Sequence, residues 1–346
     1  MNFPKGIEGD YIETSDDNLF FDVKGVHHPK ERLICFLRFV PDPTGNRLRK
    51  GIQYTKIYEL SRRYDFLRKN YPDYLFYSPG LDLEVQGVQR KKIKKIYTPW
   101  EYFRDLAIDD KLNDTELISK KLCELLISEG SVPFNSIGIT GSPMIGLNTA
   151  DSDIDLIIYG TKVSLELQEK LPSIFARSSQ LRKYLPEEFK THYNWRAGGS
   201  GVAYADFLTS EKRKLHQGKF HGKEFFIRYL KSPKDWKGQF SDYNFKDCGR
   251  IRLKAKIVDS KDSIFTPCSY KISVNKIFKK FLSKDWVDPR NIKEITSFRG
   301  RFIEHAKKGE EVLAVGKLEK VSFQEKEEWF RILLTSQEND QLIVIN

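Results

Sequence analysis

The residues with most chemistry to offer are three acids alternating through an apolar run, Asp151-Ser152-Asp153-Ile154-Asp155-Leu156-Ile157-Ile158-Tyr159, with the pair Gly141-Ser142 about ten residues upstream. A strand sets residues i and i+2 on one face, so Asp153 and Asp155 project together while Ile154 and Leu156 enter a core. Two carboxylates side by side repel unless a dication lies between them, and a hard, oxygen-seeking ion such as Mg²⁺ suits that place. Ser136-Ile137-Gly138-Ile139-Thr140 reads as a short buried strand running into Gly141-Ser142. There the missing Cβ lets backbone amides and a hydroxyl come close to a phosphate. Together the two segments predict a metal-dependent site for a nucleoside triphosphate; the alternative is a solvated acidic turn between two strands.

Ile139-Thr140-Gly141-Ser142, Gly146 and Asp151-Ser152-Asp153-Ile154-Asp155-Leu156 resemble the signature of the DNA polymerase beta-like nucleotidyltransferase superfamily, over about residues 112 to 210. More loosely, the whole chain is similar to uncharacterised archaeal proteins described as predicted nucleotidyltransferases. The resemblance implies a mixed sheet with flanking helices and a third carboxylate on a neighbouring strand, for which Asp206, within Gly201 to Leu208, is the candidate. It implies two Mg²⁺ ions, with Mn²⁺ as a substitute. Asp153 and Asp155 would share both ions, while Asp206 would hold the one on the nucleophile's side and help deprotonate a hydroxyl. Gly141 and Ser142 would hydrogen-bond the outer phosphates. Asp151 is assigned to loop, although an ideal strand would set it on the same face as Asp153 and Asp155.

The implied reaction moves a nucleoside monophosphate from a triphosphate to a hydroxyl, on RNA before DNA, with release of pyrophosphate. Transfer to a protein or a small molecule is the alternative acceptor reading, and a nucleic-acid-binding module without catalysis is the alternative class. The sequence offers too many cations near the motif to single out those that face the triphosphate; Lys162, Arg177, Arg182 and Lys183 are the local options.

Elements must position these groups. A helix begins at Asn113 or Asp114, turns Leu117, Leu122, Leu125 and Leu126 inward, and stops at Gly130. Ser164 to Tyr184 has helical apolar spacing broken at Pro172, and Ala197 to Gly201 suits a hairpin turn ahead of an Asp206 strand. The first 99 residues read as a separate α+β module of unassigned role. Its strands are Phe20 to Lys24, Arg32 to Val40 and Tyr74 to Tyr77, with a turn at Pro41 to Asn46 and a helix over Tyr58 to Leu67. Residues 100–212 form the expected catalytic domain and 213–346 a basic, β-rich one. In the last, Arg250 to Val258 alternates basic and apolar side chains, and further strands follow at 311–321, 329–334 and 341–345. A compact barrel fits, of the oligonucleotide-binding type as one hypothesis, with Arg299 and Arg301 facing its ligand. The fold class is α+β.

With 39% hydrophobic and 13% aromatic residues the chain of 346 is globular rather than disordered. No apolar run approaches the ~18 residues of a membrane helix, and the N-terminus has no apolar signal core, so a soluble cytoplasmic protein without a membrane partner is expected. Cys35, Cys123, Cys248 and Cys268 lie far apart and fit reduced thiols better than disulfides or zinc ligands.

Of the net charge of +11, the stretch from Glu211 to Lys256 carries +9, from fourteen Lys and Arg against five Asp and Glu. Phe220, Phe225, Phe226, Tyr229, Trp236, Phe240, Tyr243 and Phe245 are interleaved there. Cations that follow phosphates and rings that stack on unpaired bases suit a nucleic-acid partner, RNA first; the same rings suit a core equally well. The shorter run Arg90 to Lys95 reads as a linker or strand rim.

Overall fold

The computed structural model describes residues 3–281 and 287–345. The α+β chain divides into two compact units, one of residues 1–78, 83–182 and 216–240, the other of 79–82, 183–215 and 241–346. The boundaries expected at residues 99 and 212 are therefore not where it divides. The N-terminal strands share a unit with the acidic motif because Phe3 and Ile7 pack with Ile157, Tyr159 and Leu230 in one apolar cluster.

The first unit opens with β1 (Tyr11–Thr14), β2 (Phe20–Val23), β3 (Arg32–Pro41), β4 (Arg47–Arg49), β5 (Ile52–Lys56), α1 (Leu60–Asn70), β6 (Leu75–Ser78), β7 (Leu83–Gln89) and β8 (Ile93–Tyr97). Their sheet runs β4-β5-β3-β2-β1-β8, with β7 pairing β3 and β6 pairing β7. Alternation along β3 buries Leu33, Cys35 and Leu37 against Ile12, Phe21 and Val23. The β2–β3 ladder slips once: Phe20 faces Phe39 but Phe21 faces Leu37, which leaves Arg38 as the extra residue of a β-bulge.

Next come α2 (Pro99–Ala107), α3 (Asp114–Ser128), β9 (Ile137–Thr140), β10 (Ile154–Tyr159), α4 (Thr161–Arg177), β11 (Leu181–Arg182), β12 (Gln217–Phe220) and β13 (Lys223–Leu230). The sheet order is β11-β12-β13-β10-β9, with β10 antiparallel to β9 and parallel to β13. At the start of α3, Asn113 accepts from the Glu116 amide at 3.0 Å and Glu116 accepts from the Asn113 amide at 3.0 Å. This reciprocal cap satisfies two amides the first turn leaves open. Leu122 and Leu126 are buried as expected, whereas Leu117 is exposed. Helix α4 passes through Pro172 instead of breaking there. Burial of its stripe Leu167, Leu171 and Ile174 outweighs the lost hydrogen bond.

The second unit holds α5 (Pro186–Ala197), α6 (Tyr204–Glu211), β14 (Tyr243–Asp259), β15 (Cys268–Phe281), β16 (Ile292–Ser297), β17 (Glu311–Phe323), β18 (Glu327–Leu334) and β19 (Gln341–Ile345). β14 pairs β15, β15 pairs β16, β16 pairs β18, β18 pairs β17 and β17 returns to β14, so five strands close into a barrel; β19 adds to β17. Only the β16–β18 pairing within that ring is parallel. The long β14 serves both neighbours by curling at a bulge between Asp247 and Arg250, where Gly249 has φ +84°. Ile251, Leu253, Ala255 and Ile257 point into the barrel and Arg252 and Lys256 outward, as the alternation predicts. The glycine-rich segment before Asp206 joins α5 to α6 rather than two strands.

No helix among the described residues is long and apolar enough to cross a membrane.

Candidate active site

Asp155 sits on β10 directly across from Thr140 of β9, and Gly141 follows at once. Gly141 has φ +83°, and a Cβ there would lie 2.9 Å from Oδ2 of Asp155. Only glycine brings this backbone so close to the carboxylate without strain. The Gly-Ser turn and the Asp-x-Asp strand thus form one local structure. Asp153, just before β10, is exposed; Asp155 is half-buried; Asp151 lies in an exposed turn, consistent with its assignment to loop.

The turn is more closed than the sequence suggests. Gly141 and Ser142 are buried, and the Ser142 hydroxyl, expected on a phosphate, donates to Oγ of Ser152 at 3.2 Å. Ser152 in turn accepts from the Thr149 amide at 2.8 Å. Met144, Ile145 and Leu147 pack into a cluster with Tyr11, Phe20, Phe39 and Tyr54 of the N-terminal strands. Arg47 of β4 donates to the Leu147 carbonyl, and the Thr140 hydroxyl donates to the Gly9 carbonyl at 2.5 Å. The N-terminal module, to which the sequence assigned no role, is the wall on which this turn is built.

That wall is charged. Asp155 acts electrostatically on Tyr11, Arg38, Lys56 and Arg228, and Asp153 also acts on Lys56. Arg228 on β13 stands beside Ile157 in register and pairs with Glu8, which also accepts from the Gly25 amide at 2.6 Å. Asp22 pairs with Lys24 at 2.7 Å. Burial works to raise the Asp22 pKa, but Lys24, Arg38 and Arg228 outweigh it and hold the carboxyl below its usual range. Lys56 differs: burial, with Arg38 repelling it, lowers its pKa to about 8 despite the pull of Asp155 and Asp153.

Asp206 is not on a strand as expected. It lies at the third position of α6, in the second unit. Phe207, Ser210 and Glu211 are the buried residues of α6, a helical spacing that overrides the strand-like run before it. An acid in the first turn of a helix is favoured by the helix dipole, which accounts for Asp206 without a metal. On β13, the other neighbour of β10, the position facing Asp155 is Phe226. Among the described residues no three His, Cys, Asp or Glu side chains gather as a metal site. Two carboxylates two residues apart nonetheless fit one Mg²⁺ held jointly with a substrate's phosphates, because Mg²⁺ keeps several oxygen ligands from water or phosphate.

Two of the expected local cations are engaged elsewhere. Lys162 pairs with Glu166 at 3.6 Å and Arg177 with Glu129 at 2.7 Å, both on exposed helix surface. Arg182 lies on the short strand β11, and Lys183 belongs to the second unit. The cations sequence reasoning missed are Arg38, Lys56 and Arg228. One signal was present: Arg38 is a lone cation within Leu33-Ile34-Cys35-Phe36-Leu37-Arg38-Phe39-Val40, apolar on both faces of a strand.

The basic stretch of residues 211–256 is shared between the units, which split it after Leu215 and after Phe240. Phe220, Phe225 and Tyr229 are buried core, so those rings are not available for stacking on bases.

The chain is 27% identical over 333 residues, 94% of each chain, to an uncharacterized protein of Methanocaldococcus jannaschii. No protein-family model and no solved structure matches it.

Proposed function

We propose that the chain is a metal-dependent nucleotidyltransferase that moves a nucleoside monophosphate from a triphosphate to a hydroxyl, most readily on RNA, and that the sheet of β9, β10 and β13 with its helices is polymerase beta-like. What carries the reading is the contact of Gly141 with Asp155, which joins a phosphate-type turn to an acidic pair on a face lined by cations. Asp153 and Asp155 would hold Mg²⁺; when bound, that ion offsets charge on the phosphates and on the leaving group. In the step itself the acceptor oxygen bonds to the α-phosphorus as the bond to the bridging oxygen of pyrophosphate breaks. The hydroxyl proton passes to a carboxylate of the pair.

For the acceptor, support comes from the barrel, whose five-strand closure is of the oligonucleotide-binding kind. Arg252 faces Lys279 and Lys254 faces Lys276 across β14 and β15. Phe278, exposed among them, lies within 5.9 Å of the Arg252 guanidinium. Lys254 also pairs with Glu311 at 2.7 Å; the basic row as a whole suits the backbone of a phosphodiester chain, with an unpaired base on Phe278.

One observation favours a second reading. Opposite Asp155 on β13 stands Phe226 rather than a carboxylate, as in a nucleic-acid-binding module that no longer catalyses. Incubation with α-labelled ATP or CTP, Mg²⁺ and either tRNA, total RNA or protein separates the cases. Label on RNA supports the proposal, label only on protein moves the acceptor, and RNA binding with no label on any acceptor leaves the module.

A further inference from the structure

We infer that Lys56 at the end of β5 and Arg38 at the β3 bulge form a polyphosphate-binding site facing Asp153 and Asp155, a substrate clamp supplied by the N-terminal module. The inference rests on the nucleotidyl-transfer reading for its substrate class, but it concerns binding, which needs no turnover.

The bulge is the first argument. It places Arg38 next to Phe39 without a ladder partner of its own on β2, and Phe39 pairs with Lys56 on β5. Bulges commonly re-aim a side chain beside an active site. Here the re-aimed guanidinium hydrogen-bonds Tyr11 and lies in the field of Asp22 and, more weakly, of Asp155.

The second argument is unspent bonding capacity. Lys56 is half-buried and, among the described residues, has no acidic side chain at ion-pair distance; its ammonium lies 4.8 Å from the Tyr58 ring and 6.0 Å from that of Phe39. Nε of Arg38 is buried with no hydrogen-bond partner. Buried polar and charged groups normally find partners, because leaving them without one opposes folding. An unpaired ammonium and a guanidinium with a spare N–H beside a carboxylate pair suit an anion with many acceptor oxygens that also carries a metal ion, which describes a polyphosphate. Arg228 is not part of the clamp, since Glu8 already occupies it.

The charged groups facing Lys56 are Arg38 and Arg47, which disfavour its protonated form, and Asp155 and Asp153, which favour it.

The test is calorimetric titration of the full chain with inorganic triphosphate and Mg²⁺, for wild type, Lys56→Met, Arg38→Gln and, as a control, Lys162→Met on the exposed face of α4. Melting temperatures and nucleotide incorporation are measured on the same samples. Wild type and the control should bind triphosphate alike, and Lys56→Met at least about tenfold more weakly while melting no lower than wild type. Triphosphate binding unchanged in a folded Lys56→Met, or absent in wild type, overturns the clamp. Should Arg38→Gln fail to fold, Lys56→Met decides alone. Lysine-dependent binding without incorporation keeps the clamp and removes the transferase; incorporation whose KM for nucleotide ignores Lys56→Met does the reverse.

Discussion

Two lysines, one fully buried and one half-buried in different units, show how a charge reveals its purpose. Lys214 in the second unit is fully buried, but Glu211 and the Arg301 carbonyl both accept from it, and Glu211 also bonds His192 at 3.2 Å. Burial lowers its pKa, with Glu211 opposing that shift. Lys56 in the first unit is less buried yet, among the described residues, has no acid at ion-pair distance, and lies beside the carboxylates of the motif. A buried charge with every bond satisfied is architecture; one left short of partners at the edge of a site awaits a ligand.

Removing each lysine gives the sharpest break between the two. Lys214→Met strands the Glu211 carboxylate and should cost about 3–5 kcal/mol, seen as a large fall in melting temperature. Lys56→Met should leave the melting temperature at pH 7 unchanged or raised. The sign follows from the folded pKa of about 8 lying below the ordinary lysine value of 10.5. Protonated Lys56 opposes folding below about pH 8, and the penalty fades as pH rises toward 10.5. Equal losses in the two variants would erase the distinction.

Asp10 offers a smaller effect within the first unit. Its carboxylate accepts from the amides of Gly6 at 2.7 Å and Ile7 at 3.2 Å, yet burial pushes its pKa up to about 8. The folded state therefore holds a proton that the unfolded chain releases near pH 4, so Asp10 weakens the fold progressively from about pH 4 to pH 8. Asp10→Asn should match wild type in a melt at pH 4 and exceed it at pH 8. A gain at pH 4 equal to that at pH 8 would remove titration as the cause.

The smallest effect belongs to Asp206. As a first-turn acid of α6 it contributes about 0.3–1 kcal/mol at most, so Asp206→Asn should lower the melting temperature slightly. Nucleotide incorporation should be untouched. Loss of activity with an intact fold would restore Asp206 as a ligand and undo its assignment to the helix dipole.

Local chemistry was legible in the sequence and long-range assembly was not. The Asn113 cap, the alternation of β3 and β14, and the pairing of a Gly-Ser turn with Asp-x-Asp depend on residues close in the chain, where spacing dictates geometry. Asp206 was misread because Gly201 to Leu208 is short and apolar, and such runs do not distinguish strand from helix until packing chooses. Pro172 was misread for a related reason, since the buried stripe of α4 holds the helix together across it. Arg38 and Lys56 lie about a hundred residues from the motif, and only a bulge and the stacking of the N-terminal strands bring them to it. Of the basic stretch, the part within β14 faces outward as read, while much of the rest folds into the core of the other unit.

The most direct measurement is incorporation of α-labelled nucleotide into total RNA with Mg²⁺ by wild type and by the double variant Asp153→Asn with Asp155→Asn, each checked for an unchanged melt. The expected result is label from wild type and a loss of about 10³-fold or more in the variant, the scale of several kcal/mol of metal-borne stabilisation. Equal incorporation by the two proteins, or none by wild type with any of the four nucleotides, would contradict nucleotidyl transfer at this site.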